Sequence, residues 1–288
     1  IWVGSYFSEF TMNGGRIYGR FDDAIEIDST VSGNTSYDMV RINKGIIVID
    51  GEAVQLPQNN FGHCLHGGPD GWQYQVYDAV QVDDQTLQLT IVDPDGHMGF
   101  PGTVTAVVTY KLTDDNAIDI SYEGTTDKAT VLSMTNHAYF SLSGNHAVEG
   151  TDMVLYVNAD TFTPANENLI PTGEMRPVEG TPFDFRTPKA IGTDLDVEDE
   201  QLRNGGGYDH NWVLNTKGDK EQVAVKVVDP TSKICLEVYT SEPGIQVYTG
   251  NFLNNKKVGE PQQYRQVPVW GKPFYCIYLK RNSQKRIN

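Results

Sequence analysis

The sequence predicts an all-β protein, a large antiparallel β-sandwich. Short apolar-rich segments at 85–92, 103–112, 117–126 and 131–137 follow one another at near-regular spacing, separated by turns rich in Asp, Gly and Pro. A second set, 152–157, 223–228, 234–240 and 245–249, repeats the pattern. No stretch carries the periodicity of an amphipathic helix of ordinary length. Strands without intervening helices favour sheet packed on sheet over alternating βαβ units.

Residues 1–40 carry turn signals at Gly14-Gly15 and Gly33-Asn34, with alternation too weak to place strands. From Arg41 the pattern sharpens, and Ile46-Ile47-Val48-Ile49 runs into Asp50-Gly51, a strong hairpin signal. The acidic stretch Asp194–Glu200 reads as a solvated loop or short helical turn. With no fixed-period repeat and no low-complexity linker, a single domain over residues 1–288 is the simplest partition.

Composition bounds the function. The 288 residues are 39% hydrophobic, enough for a sizeable core. A formal charge of −16 repels a phosphate backbone, and the only basic concentration lies in residues 280–288, so neutral small molecules are the expected partners and nucleic acid is not. No apolar run approaches a membrane span and no signal-type segment is visible. Three dispersed cysteines, Cys64, Cys235 and Cys276, fit reduced thiols and a cytoplasmic location. The chain begins at Ile1, which suggests a processed or truncated start and leaves export open.

Two stretches concentrate chemistry. Met134-Thr135-Asn136-His137-Ala138-Tyr139-Phe140 sets an imidazole at a strand end beside aromatic rings, the kind of surface that covers the C–H faces of a sugar. His137 is equally readable here as a core histidine bonded to backbone. In Phe61-Gly62-His63-Cys64-Leu65-His66-Gly67-Gly68, two histidines and a cysteine invite a metal reading. No second ligand pair completes a zinc site, so a glycine-rich loop presenting one functional imidazole is the better reading.

Taken together, the motifs resemble the aldose 1-epimerase (galactose mutarotase) family. The resemblance runs from Arg41 to Leu253 through Leu65-His66-Gly67-Gly68, Asp93-Pro94-Asp95-Gly96 with Gly99-Phe100-Pro101-Gly102, and Thr135-Asn136-His137-Ala138-Tyr139-Phe140. It continues through Leu169-Ile170-Pro171-Thr172-Gly173, Gly180-Thr181-Pro182-Phe183-Asp184-Phe185-Arg186, Tyr208-Asp209-His210-Asn211-Trp212 and Glu242-Pro243-Gly244-Ile245-Gln246-Val247-Tyr248-Thr249-Gly250-Asn251-Phe252. Any one block could be chance; their ordered co-occurrence is specific.

The resemblance implies a mutarotase-like supersandwich that interconverts the α and β anomers of a free hexose such as galactose or glucose, without a cofactor. An acid protonates the ring oxygen while a base takes the anomeric proton, the ring opens, and rotation about C1–C2 precedes closure. By the same resemblance His137 is the imidazolium acid and His66 assists it. Arg41 binds hydroxyls, Asp209 holds hydroxyls remote from C1, and Gln246 lines the cleft.

The family's base is a Glu in a late L-E-T-Q segment, and here Leu279 is followed by Lys280-Arg281-Asn282-Ser283-Gln284-Lys285-Arg286-Ile287-Asn288. Codons allowed for that tail read E-T-Q when displaced by one base, so 280–288 is expected to be an aberrant frame and activity to suffer. Two other readings remain open. One is a non-catalytic sugar-binding protein; the other is a hexose-phosphate epimerase, which the acidic chain and the lack of an added Arg cluster disfavour.

Overall fold

The computed structural model describes residues 10–12, 15–22, 24–31, 34–42, 45–49, 52–143, 150–251 and 275–280. The chain divides into two compact units, the first up to Met134 and the second over residues 135–282. In the first, β1 (Phe10–Met12), β2 (Gly15–Asp22), β3 (Ala24–Val31) and β4 (Asn34–Ile42) form an antiparallel sheet in chain order. Then β5 (Ile46–Ile49) pairs with β6 (Glu52–Gln55) as the hairpin expected from sequence. Ile47 and Ile49 are buried while Ile46 is exposed, the alternation of a half-buried strand. The turn Asp50-Gly51, Gly14, Gly33 and the tail 281–288 lie outside the described residues.

A second sheet of this unit runs β10-β9-β8-β7, with β7 (Asp78–Gln81), β8 (Thr86–Asp93), β9 (Val104–Leu112) and β10 (Ile118–Thr126). Ile91 and Ala106 face each other in the β8–β9 ladder and are buried, whereas Val92, one residue on, is 61% exposed. Met134 joins that apolar face, backed by Trp72, Tyr77 and Leu132.

The strand expected at 131–137 is not formed; the segment is irregular apart from an isolated bridge at Thr135. Gly124 on β10 supplies the reason. A Cβ there would lie 2.4 Å from Leu132 Cδ2, so Leu132 lies against β10, and Met134 joins the same apolar cluster.

The second unit contains β11 (Tyr139–Phe140), β12 (Val154–Val157), β13 (Ala159–Thr163), β14 (Arg176–Pro177), β15 (Lys189–Ala190), helix α1 (Glu200–Gly205), β16 (Asp209–Leu214), β17 (Val225–Val228), β18 (Cys235–Val238), β19 (Gly244–Tyr248) and β20 (Tyr275–Lys280). They form a six-stranded sheet, β11-β20-β19-β16-β13-β14, and a four-stranded sheet, β15-β12-β17-β18. One apolar cluster joins the two: Leu155, Val157, Val225 and Val227 from the smaller sheet meet Phe162, Trp212, Leu214, Ile245 and Val247 from the larger. Phe162 and Phe183 stack at 4.2 Å, and the Trp212 indole N–H donates to Phe183 O at 2.9 Å. The all-β antiparallel sandwich read from the sequence is the fold observed. Among the described residues no helix is long and apolar enough to cross a membrane.

The acidic stretch ends as a helix start. Asp199 caps α1 by accepting from the N–H groups of Gln201 and Leu202, and Gly206, at φ 65°, closes the helix in the left-handed conformation.

Phe183 is fully buried inside the aromatic cluster. Phe183→Ala should therefore cost about 3–5 kcal/mol of stability, while Val92→Ala should stay within about 0.5 kcal/mol. Urea unfolding of both variants checks the contrast.

Candidate active site

The β16–β19 ladder builds the centre of the site. Its register pairs Asp209 with Tyr248, His210 with Val247, Asn211 with Gln246, and Trp212 with Ile245. Paired residues share a face, and successive residues alternate. His210, Trp212, Ile245 and Val247 therefore enter the core, while Asp209, Asn211, Gln246 and Tyr248 line the opposite face.

Gln246 Nε2 donates to Asp209 Oδ1 at 2.9 Å. The other atom of that amide, Oε1, is buried and has no hydrogen-bond partner among the described residues. An acceptor left in that state attracts a donor from a ligand, and a sugar hydroxyl is such a donor. On the same face Asn211 is buried. A Cβ on Gly244 would sit 2.4 Å from Asn211 Oδ1, so only a glycine lets that amide lie across β19.

Aromatic rings lead from this pair to His137. The Tyr248 and Tyr139 centroids are 6.5 Å apart, and Tyr139 and His137 lie 5.5 Å apart at a 49° tilt. His137 is half-buried, and desolvation lowers its pKa below the ordinary imidazole value. This shift favours the neutral imidazole.

The Asp209 segment is tied down from both sides. Thr249 Oγ1 accepts from the Tyr208 N–H at 3.0 Å, and the Thr249 N–H donates to Tyr208 O at 3.0 Å. Asn251 Nδ2 donates to Gly205 O at 2.8 Å and Tyr208 O at 2.9 Å. Gly207, at φ 139°, passes under this clamp; a Cβ there would lie 2.4 Å from Asn251 Oδ1.

Of the residues singled out in the sequence, Asp209, Gln246 and His137 lie in the second unit, the first two hydrogen-bonded and His137 linked to their ladder through Tyr139 and Tyr248. Arg41 and His66 belong to the first unit, which is described by itself. Arg41 lies in β4, opposite Glu26 of β3. His66 is exposed in a loop with φ 53°. Asn59 holds that loop, accepting from the Leu65 N–H at 2.8 Å and donating to Leu65 O at 3.1 Å. Gly71 completes it, because a Cβ there would lie 2.4 Å from His66 O. Position 280, where the family's base is expected, ends β20 opposite Gly244, two rungs from the Gln246–Tyr278 pair on the same ladder. No group of three His, Cys, Asp or Glu side chains among the described residues is disposed to hold a metal.

A family profile described as aldose 1-epimerase matches residues 39–287. The chain belongs to the aldose 1-epimerase family. It is 40% identical over 213 residues to an aldose 1-epimerase of Escherichia coli K12, covering 74% of this chain and 61% of that protein. It is 39% identical over 221 residues to the human galactose mutarotase, covering 76% and 62% respectively. The matched stretch thus spans less than two thirds of either relative. The fold is similar to that of a solved galactose 1-epimerase from Lactobacillus acidophilus NCFM, with a TM-score of 0.70 at 24% identity over 96% of this chain and 89% of that one.

The sequence reading gave no role to Tyr248, Thr249, Asn251, Asn211 or His210, although all five stand in quoted motifs. Their place becomes visible only when β16 and β19 are paired.

A histidine missed by the sequence reading fixes the first unit's loop. His97 Nδ1 lies 2.6 Å from Asp93 Oδ1, and its Nε2 lies 3.2 Å from Asp70 Oδ2. Desolvation opposes a charged ring, but hydrogen bonds and charge from Asp70 and Asp93 outweigh it and raise the pKa above its ordinary value. A raised pKa means the clamp is at full strength below about pH 6.5 and weakens as pH rises through the folded value. Amide exchange at Gly68 and Gly71, corrected for intrinsic rate, should accelerate across that window. In His97→Gln the acceleration should vanish; an unchanged pH dependence there would remove His97 from the loop's control.

Proposed function

We propose that the chain acts as an aldose 1-epimerase on a free hexose such as galactose or glucose, interconverting its anomers by acid–base ring opening and reclosure. The observation that carries this reading is the Asp209–Gln246 pair, with the unmatched Gln246 Oε1 beside the Tyr248–Tyr139–His137 rings. A carboxylate and an amide acceptor take hydroxyl protons, the rings cover C–H faces, and the imidazole stands where a proton can be transferred. For Arg41 and His66 the family resemblance alone supports a role, as a hydroxyl ligand and an assisting acid.

The reaction needs two groups of opposite protonation state. His137 protonates the ring oxygen, and a carboxylate at position 280 takes the anomeric proton. That carboxylate would also raise the depressed pKa of His137 by its charge, so one residue serves both partners. Lys280 supplies neither function, because a cationic amine holds no free lone pair at neutral pH. In this reading the chain binds hexose and turns it over slowly, which is also what favours a sugar-binding protein as the second reading.

Lys280→Glu should raise mutarotation, followed by polarimetry on freshly dissolved α-D-galactose, by about 10²-fold or more. Adding His137→Ala to that variant should remove about 10²–10⁴-fold in kcat. Full activity in the unaltered chain would place the base elsewhere. Asp209→Ala should act mainly on KM, since the contact is made in the ground state too, and Asp209→Asn should fall between that variant and the parent. A pure kcat defect in Asp209→Ala would count against the hydroxyl-binding role.

A further inference from the structure

His210 is 1% exposed, and the reaction as proposed does not use it. Among the described residues its ring makes one hydrogen bond: Nδ1 accepts from the backbone N–H of Asp209 at 3.1 Å. An accepting Nδ1 fixes the neutral tautomer with the proton on Nε2. That Nε2 is buried and has no hydrogen-bond partner among the described residues. The imidazole instead packs edge-on against Phe183, at 4.7 Å and 75°, and Phe162, at 6.0 Å and 78°. Gly205 closes the box, since a Cβ there would sit 3.3 Å from the ring's Cε1.

A phenylalanine would fill this aromatic box and leave no buried N–H unmatched. What histidine alone adds is the Nδ1 acceptor, and among the described residues its hydrogen-bond donor is the amide of Asp209, the residue whose carboxylate is set against Gln246. We propose that His210 is a positioning residue for hexose binding: it holds the Asp209 backbone so that the carboxylate keeps its orientation toward Gln246 and the sugar hydroxyls. The inference rests on the hexose reading given above. Desolvation, with a smaller effect from the charge of Arg176, depresses the pKa of His210 to about 3. The acceptor therefore survives at any pH where the protein would work. A protonated Nδ1 would instead turn a donor toward the Asp209 N–H.

The test separates position from packing. His210→Phe keeps the volume and removes the acceptor; His210→Asn keeps an acceptor oxygen close to the place of Nδ1. D-galactose affinity measured by calorimetry should fall about tenfold in His210→Phe, the effect of one hydrogen bond, and return most of the way in His210→Asn. In an Asp209→Ala background His210→Phe should cause no further loss, because its effect passes through Asp209. Equal losses in both backgrounds, or an unchanged affinity in His210→Phe, overturn the inference while leaving hexose binding intact. A parent chain that binds no hexose overturns the functional reading itself. Should His210→Phe not fold, nitrogen-15 NMR of the parent decides: the Nε2–H tautomer must persist from pH 8 to about pH 4 with the Asp209 amide protected from exchange. Loss of either signature in that range sinks the proposal.

Discussion

The register between β16 and β19 is the constraint on which the second unit depends. Side chains alternate with a period of two, so slipping either strand by one residue would exchange the two faces. Trp212 and Ile245, both fully buried, would move to the polar side, and Asp209 and Gln246 would enter the apolar core. The aromatic cluster around Phe162 and Phe183 makes that slip prohibitive. Core packing thus fixes the site, and the site's polar residues can be chosen for chemistry without having to specify the fold.

Much of the architecture is legible in the sequence because strands with one buried face announce themselves by alternation. The segments at 85–92, 103–112 and 117–126 became β8, β9 and β10 within a residue or two. The segment at 131–137 misled for a physical reason: its Leu132 lies against β10, at Gly124, without the segment entering a ladder. Strand β7 escaped notice because all four of its residues are exposed, so burial leaves no pattern on it. In the site, Asp209 and Gln246 were singled out only through the family resemblance, and His137 through its aromatic neighbours as well; the structure adds the hydrogen bond between the first two. Thr249 and Asn251 were not singled out, since each holds the backbone of another segment, and such a partnership leaves no local trace; His210 was not because its burial among rings from distant strands is what leaves the Asp209 amide as its partner.

Three histidines show how little residue type alone reveals. His97 sits between two carboxylates and is held toward its charged form. Desolvation moves the half-buried His137 the other way. His210 is sealed among aromatic rings and stays neutral. The sequence contains nothing that ranks them, because proton affinity is set by neighbours brought in from distant strands. The same holds for position 280 in the proposed mechanism, since it stands opposite Gly244, two rungs from Gln246 on the same ladder.

The clamp on Tyr208 also bears on when the site is made. Thr249 and Asn251 secure a backbone about forty residues earlier in the chain, through bonds that close long loops. Contacts of such wide sequence separation form late in folding, and during synthesis they cannot form until residue 251 has left the ribosome. On the proposed hexose reading, a sugar recognised by Asp209 would engage only chains that have completed this closure, and would draw late intermediates toward the finished second unit by mass action.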